Sequence, residues 1–189
     1  MQGKVVIFSA PSGAGKTTIV RHLLTQYDQL AFSVSATSRN PRGEEVDGKD
    51  YHFMPVETFK SKIKEGAFLE WEEVYNGCFY GTLRSEIERL FNESKTVIFD
   101  VDVMGGLHLK SLFGANALAV FIKPPSEAVL MERLVGRQTE SKEKIAQRIS
   151  KANKELTYET RFDVVILNDE LQKALETASS IVGDFLSKS

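Results

Sequence analysis

Ser9-Ala10-Pro11-Ser12-Gly13-Ala14-Gly15-Lys16-Thr17-Thr18 lies between an apolar run, Val5-Val6-Ile7-Phe8, and a helical pattern, Ile19-Val20 followed by Leu23-Leu24. Strand, glycine-rich loop and helix in that order is the setting a phosphate-binding loop requires. Glycine lets successive backbone N–H groups turn inward as an anion nest, and the helix N-terminus adds its dipole. Ser12, Gly13, Ala14, Gly15, Lys16, Thr17 and Thr18 are the residues expected around the phosphates of a nucleoside triphosphate. Lys16 is spaced to reach the outer phosphates, and the Thr17 hydroxyl to meet Mg²⁺. Ala10 stands where the strict motif has its first glycine. Alanine is small, so the tight loop stays feasible provided Ala10 keeps a negative φ.

The flanking chain repeats this grammar. Apolar runs at Val5–Ser9, Thr96–Val101, Ala117–Ile122 and Val164–Leu167 read as parallel strands buried on both faces. Helical patterns alternate with them at Thr17–Gln26, Leu83–Asn92, Glu127–Leu134, Lys142–Leu156 and Leu171–Phe185. The expected fold class is therefore α/β, a doubly wound parallel sheet. Between Ala31 and Tyr80 the pattern changes to short strand-like pieces, Ala31–Ser35, Asp50–Met54, Ala67–Glu73 and Cys78–Tyr80, with a helix at Val56–Lys64. Pro41-Arg42-Gly43 and Asn76-Gly77 mark turns there. This stretch reads as a small mixed α/β lobe, residues 32–81, inserted into a core of residues 1–31 and 82–189 within one domain.

Composition narrows the field. At 189 residues the chain can bury a sizeable core. Apolar residues make up 42% and charged residues 26%, the balance of a globular enzyme. A formal net charge of -2 argues against a general nucleic-acid binder. Cys78 is the single cysteine, which excludes an intrachain disulfide and a thiolate zinc cluster and reads as a small packed side chain. No uncharged stretch is long enough for a membrane span or leader, so the cytoplasm is the expected compartment.

The lobe carries the substrate argument. Arg39 and Arg42 place two guanidinium forks in a turn-rich segment, and Tyr51 and Tyr80 add phenol hydroxyls. Alone, the arginines read as a solvated basic loop and the tyrosines as core aromatics with wet tips. Beside a phosphate loop, all four suit a phosphate monoester. Glu70 sits in a mostly apolar strand, Ala67-Phe68-Leu69-Glu70-Trp71. A carboxylate there is costly without partners, and the competing reading is an edge-strand side chain pointing to water. Guanine presents N1–H and N2–H₂ side by side, two donors for one carboxylate. Ser35 and Thr82 offer hydroxyls for guanine O6, whereas adenine has the wrong pattern.

Taken in order, these residues resemble guanylate kinase over essentially the whole chain. The resemblance rests on the phosphate loop, on residues 32–42, on Gly48-Lys49-Asp50-Tyr51-His52-Phe53, and on Phe68-Leu69-Glu70-Trp71. It extends through Tyr80-Gly81-Thr82, Asp100-Val101-Asp102, Arg133-Leu134-Val135-Gly136-Arg137 and Val165-Ile166-Leu167-Asn168-Asp169. It implies phosphoryl transfer from ATP to GMP with Mg²⁺, and a helical lid at about residues 133–157. Ser35, Glu70, Thr82 and Asp102 would then hold guanine, and Arg39, Arg42, Tyr51 and Tyr80 its phosphate. Lys16, Arg42, Arg137 and Arg148 would serve the transfer, Thr17 and (through water) Asp100 the metal, and Asn168 and Asp169 the adenine. The alternative within the resemblance is a non-catalytic domain of the same fold that binds phosphoproteins. Intact Lys16 and Thr17 weigh against it.

Four positions depart from the family pattern. Gly43 comes one place early after Arg42, the Trp71–Tyr80 segment is one residue longer than the family pattern, Met104 replaces Gln, and Gln138 replaces Gly. None removes a residue the chemistry needs.

Overall fold

The computed structural model describes residues 3–135 and 142–188. In chain order the elements are β1 (Val5–Ser9), α1 (Lys16–Gln26), β2 (Leu30–Phe32), β3 (Ala36–Thr37), β4 (His52–Phe53), α2 (Val56–Lys64), β5 (Phe68–Tyr75) and β6 (Cys78–Leu83). They continue with α3 (Arg84–Asn92), β7 (Thr96–Val101), α4 (Val103–Phe113), β8 (Ala117–Lys123), α5 (Glu127–Val135), α6 (Lys142–Leu156), β9 (Val164–Leu167) and α7 (Leu171–Ser187).

The larger sheet has strand order β2-β7-β1-β8-β9, every pair parallel. β1 shows why continuous apolar runs form its centre. Val6 and Phe8 point to one face, against Ile19, Val20 and Leu23 of α1 and Ala174, Ala178 and Val182 of α7. Val5 and Ile7 point to the other, against Ile87 and Leu90 of α3 and Leu109 and Phe113 of α4. Period-two alternation thus fills two cores from one strand. Order and handedness bring the carboxyl ends of β1 and β7 side by side, where open α/β sheets bind ligands.

The smaller sheet has order β4-β3-β6-β5: β3 and β4 are parallel, and the other pairs antiparallel. It has an interior of its own. Phe59 of α2 stacks on Phe68 at 4.4 Å and on Phe79 at 5.5 Å between ring centroids, and all three are buried.

Three sequence expectations change. The strand expected at Ala31–Ser35 is shorter, Leu30–Phe32, and pairs with Thr96–Ile98 in the large sheet rather than with the lobe. The strand expected to end at Tyr80 runs on through Leu83, so Thr82 belongs to the lobe's sheet. Helix α4 was not expected at all. Gly105 and Gly106 mask its pattern, because glycine disfavours a helix interior. The fold needs both: a Cβ on Gly106 would lie 2.1 Å from Ser9 Oγ, and one on Gly105 would lie 2.8 Å from Glu70 Oε2. Within Trp71–Tyr80 the β5–β6 register slips between Glu73 and Tyr75, before the turn at Gly77. No helix among the described residues is long and apolar enough to cross a membrane.

Candidate active site

The loop from Ala10 to Thr18 forms one wall of a cleft of about 340 Å³, and the lobe forms the other. Ala10 is buried and stays out of the left-handed region, as a tight turn without the first glycine requires. Gly13 and Gly15 take φ values of 93° and 91°, open to glycine and strained for other residues. Gly15 caps α1, so the helix dipole points into the cleft. A Cβ on Gly15 would lie 2.4 Å from the Asn168 amide nitrogen. That amide donates to the Ala14 carbonyl at 2.7 Å and, being buried, holds the loop from behind. Arg133 braces the same place, donating to the Ala14 and Asn168 carbonyls at 3.5 and 3.3 Å.

At the floor, Lys16 is folded toward the sheet edge. Its ammonium donates to the Val101 carbonyl at 2.6 Å and pairs with the Asp100 carboxylate. The Thr17 hydroxyl donates to Asp100 Oδ2 at 2.8 Å. A hydroxyl and a carboxylate oxygen thus converge within reach of the loop. This hard oxygen pair suits Mg²⁺, which takes few protein ligands and completes its shell with water and phosphate.

Across the cleft, a bulge in β5 aims Glu70. Phe68 pairs with Leu83 but Glu70 pairs with Thr82, so one residue of β5 is extra. As a result Phe68 enters the lobe interior, Leu69 enters the core beneath the large sheet, and Glu70 faces the cleft. The Thr82 hydroxyl, itself buried, donates to Glu70 Oε1 at 2.6 Å. It orients the carboxylate rather than waiting free for a ligand. Burial pushes the Glu70 carboxyl up to about 7, partly offset by the Thr82 bond and reinforced by Asp102 nearby. The carboxyl therefore does not point into open water.

Arg39 is held on every side. Its Nε donates to the Tyr80 hydroxyl at 3.0 Å, and its two terminal nitrogens grip Glu45 at 2.6 and 2.7 Å. The guanidinium lies 4.8 Å above the Tyr51 ring centre. The paired Arg39 holds the Glu45 carboxyl below its ordinary range. Glu45 also accepts from the Arg42 backbone N–H at 2.7 Å, shaping the turn in which Gly43 has φ 55°. Burial pushes the Tyr51 and Tyr80 hydroxyls upward, so both stay protonated donors.

Of the residues named from sequence, Ser35, Arg42, Tyr51, Glu70 and Tyr80 face the cleft together with Asp100, Asp102 and Arg148. Thr82 stands behind Glu70, and Arg39 stands behind Tyr80. Asp102 caps α4, its Oδ1 accepting from the Gly105 N–H at 2.8 Å. Burial works to raise its carboxyl, but the Glu72 carboxyl, the Gly105 N–H and Lys151 keep it below the usual range. Arg148, on α6, reaches Ser12 Oγ at 3.4 Å. Asp169 is exposed beside Asn168. Arg137 and Gln138 lie outside the described residues.

Four further residues were not anticipated. Glu72 and Glu155 line the cleft with Lys151, and Glu45 orients Arg39. Burial, with Asp102 beside it, pushes Glu72 up to about 8, and burial pushes Glu155 up to about 7 against the pull of Lys151. The sequence did hold signals for two of these groupings. Glu72 lies two residues beyond Glu70, on the same face of a strand, and Arg148, Lys151 and Glu155 share one helix face at spacings of three and four.

Known proteins are similar to this chain over nearly its whole length. The family model for guanylate kinase matches residues 2–184. A guanylate kinase from Bacteroides thetaiotaomicron is 47% identical over 188 residues, spanning 100% of this chain and 92% of that protein. One from Porphyromonas gingivalis is 48% identical over 186 residues, spanning 98% and 99%. The crystal structure of guanylate kinase from Anaplasma phagocytophilum superposes with a TM-score of 0.78 at 27% identity, covering 99% of this chain and 88% of that one.

Proposed function

The chain belongs to the guanylate kinase family, and from that premise we propose that it transfers the γ-phosphoryl group of ATP to GMP, giving ADP and GDP. One observation carries this reading: a single cleft sets an amide-lined phosphate loop opposite a buried, hydroxyl-oriented carboxylate. The loop suits the donor triphosphate, and Glu70, in its ionised form, accepts guanine N1–H and N2–H₂ together. Ser35 and Asp102 border the base, and Thr82 keeps Glu70 aligned. Arg42, Tyr51 and Tyr80 meet the acceptor phosphate, and Arg39 stiffens that wall through Tyr80 and Glu45.

Phosphoryl transfer asks for in-line placement and charge neutralisation more than for covalent help. Lys16 exchanges its contacts at Asp100 and Val101 for the donor phosphates. Thr17, with Asp100 acting through water, would hold Mg²⁺, whose positive charge neutralises the phosphate oxygens. Arg148 enters from α6 beside Ser12, and Arg137 is assigned to the same lid. Arg42 offsets repulsion between the two anionic substrates on the acceptor side. No strong general base is required, since the attacking phosphate oxygen is already anionic. Asn168 holds the loop through Ala14, and Asp169, exposed at the same sheet edge, is left to meet adenine. The core, the lobe around residues 32–81 and the lid around 133–157 act as three parts of one catalytic unit.

The deciding test is turnover with ATP and each of GMP, AMP, UMP and CMP, followed by coupled ADP detection. ADP release dependent on GMP alone is expected. Equal rates with AMP, or no stimulation by any monophosphate, would overturn the reading.

A further inference from the structure

One cation in the cleft joins three parts of the molecule. Lys151 projects from α6, which also carries Arg148. Its ammonium lies 3.6 Å from Asp102 Oδ2 at the end of the large sheet, 3.7 Å from Glu72 Oε1 on the lobe strand β5, and 3.7 Å from Glu155 Oε1 one turn along its own helix. Glu72 is two residues from Glu70 on the same strand face, and Asp102 caps the helix whose Gly105 packs against Glu70. Glu72 and Asp102, two carboxylates that Lys151 meets outside its own helix, are therefore each tied to the element that carries or packs against Glu70. On the opposite side, the α6 position three residues earlier places Arg148 at Ser12 of the phosphate loop.

We infer that Lys151 is a positioning residue that couples the acceptor site to the donor site: by tying α6 to Glu72 and Asp102, it makes seating of the acceptor purine bring Arg148 to the donor phosphates. The inference rests on the proposed GMP-kinase reading and adds to it a residue that acts through the carboxylates it meets. The physical argument is geometric. A lid helix without a tie to the lobe samples positions independently of the acceptor, and Arg148 then reaches the loop in only a fraction of encounters. Lys151 supplies that tie from a half-buried site, where screening by solvent is weaker than at the surface. Two ligands that favour the same arrangement must each tighten binding of the other by the same factor.

The experiment measures binding of a non-hydrolysable ATP analogue by calorimetry, with and without GMP, alongside steady-state kinetics. The wild-type chain is expected to bind the analogue about tenfold tighter when GMP is present, a coupling of ordinary size. Lys151→Met should abolish that enhancement and lower kcat about tenfold, while the Kd for GMP alone stays within about threefold. Lys151→Arg, which keeps the charge, should restore most of both losses. Glu72→Ala should reduce the enhancement as well, and Lys151→Met combined with Glu72→Ala should be no worse than the more damaged single variant. Thermal melts check that each variant folds, and Lys151→Arg carries the test if Lys151→Met does not. Wild-type coupling in Lys151→Met, losses that simply add in the double variant, or Lys151→Arg behaving like Lys151→Met would overturn the inference. A wild-type chain that turns over no GMP would overturn the functional reading instead.

Discussion

The two walls of the cleft are built in opposite ways. The wall assigned to the donor is nine contiguous residues that offer backbone N–H groups, fixed by glycine conformation and one helix terminus. The acceptor wall is made of side chains from separate segments, among them Ser35, Arg42, Tyr51, Glu70 and Tyr80, brought together by a four-stranded sheet with a bulge. A backbone site tolerates little change in shape but much change in side chain. A side-chain site depends on each partner being aimed by another residue. Substitutions should therefore fail differently on the two walls.

The largest effect is expected at Lys16, the charged side chain that the donor wall itself carries. Lys16→Met should lower kcat by about 10²–10³-fold, as when one preorganised charge is removed from a transferring group. Turnover near the wild-type level would break the distinction between the walls. On the acceptor side, Glu70→Gln should raise the KM for GMP by about 10–100-fold, because an amide accepts only one of the two donor contacts, with a smaller change in the KM for ATP. Steady-state titration of each substrate measures both.

The Glu70 carboxyl also sharpens the contrast through pH. Its burial pushes it up to about 7, so the free enzyme carries it protonated below that pH and ionised above. Only the ionised form accepts both guanine donors. The kcat/KM for GMP should therefore rise between about pH 6 and 8 with an apparent midpoint near 7, and Glu70→Gln should flatten that limb. For stability the sign is reversed. A carboxyl raised above its unfolded value binds more protons folded than unfolded, so its contribution is present below about 4.5 and is lost as pH climbs through about 7. The melting temperature of the ligand-free chain should fall across that window, and by less in Glu70→Gln.

Smaller effects test the supports behind each wall. Gly105→Ala places a methyl group 2.8 Å from Glu70 Oε2 and should raise the KM for GMP severalfold without touching the loop. Asn168→Ala removes the tether on Ala14 and should cost about 1–2 kcal/mol, a drop of a few degrees in melting temperature for a chain of this size. It should also raise the KM for ATP but not that for GMP. If either variant disturbed the other substrate more than its own, the assignment of these supports to their walls would fail.

The same contrast explains what could be read from the chain. β1, its loop and α1 were legible because one local segment contains strand periodicity, glycines and helix pattern together. Glu70 was legible because a carboxylate in an apolar strand demands a partner. Helix α4 was not, since the glycines that let it pack against Ser9 and Glu70 erase its propensity, and only the tertiary contact reveals their purpose. β2 was drawn into the wrong sheet because a strand's partner is a long-range fact: Leu30–Phe32 pairs with Thr96–Ile98 more than sixty residues away. The Arg39–Glu45 pairing escaped notice for a simpler reason. A loop glutamate six residues from an arginine reads as solvated until the turn between them is known.

The bulge in β5 has a mechanical corollary. Three successive residues enter three surroundings: Phe68 the lobe's aromatic stack, Leu69 the main core, Glu70 the cleft. Leu69 thus anchors β5 in the main core, with the ring stack of the lobe packed beside it. Glu70 sits next to that anchor, whereas β4, beside Tyr51, lies three strand spacings away in the sheet, about 14 Å. On the proposed reading, the carboxylate assigned to the purine thus lies beside the anchored residue, and the edge assigned to the phosphate lies farthest from it. The contact that would set base identity is then held by the main core, and the contacts that would hold charge by the lobe alone.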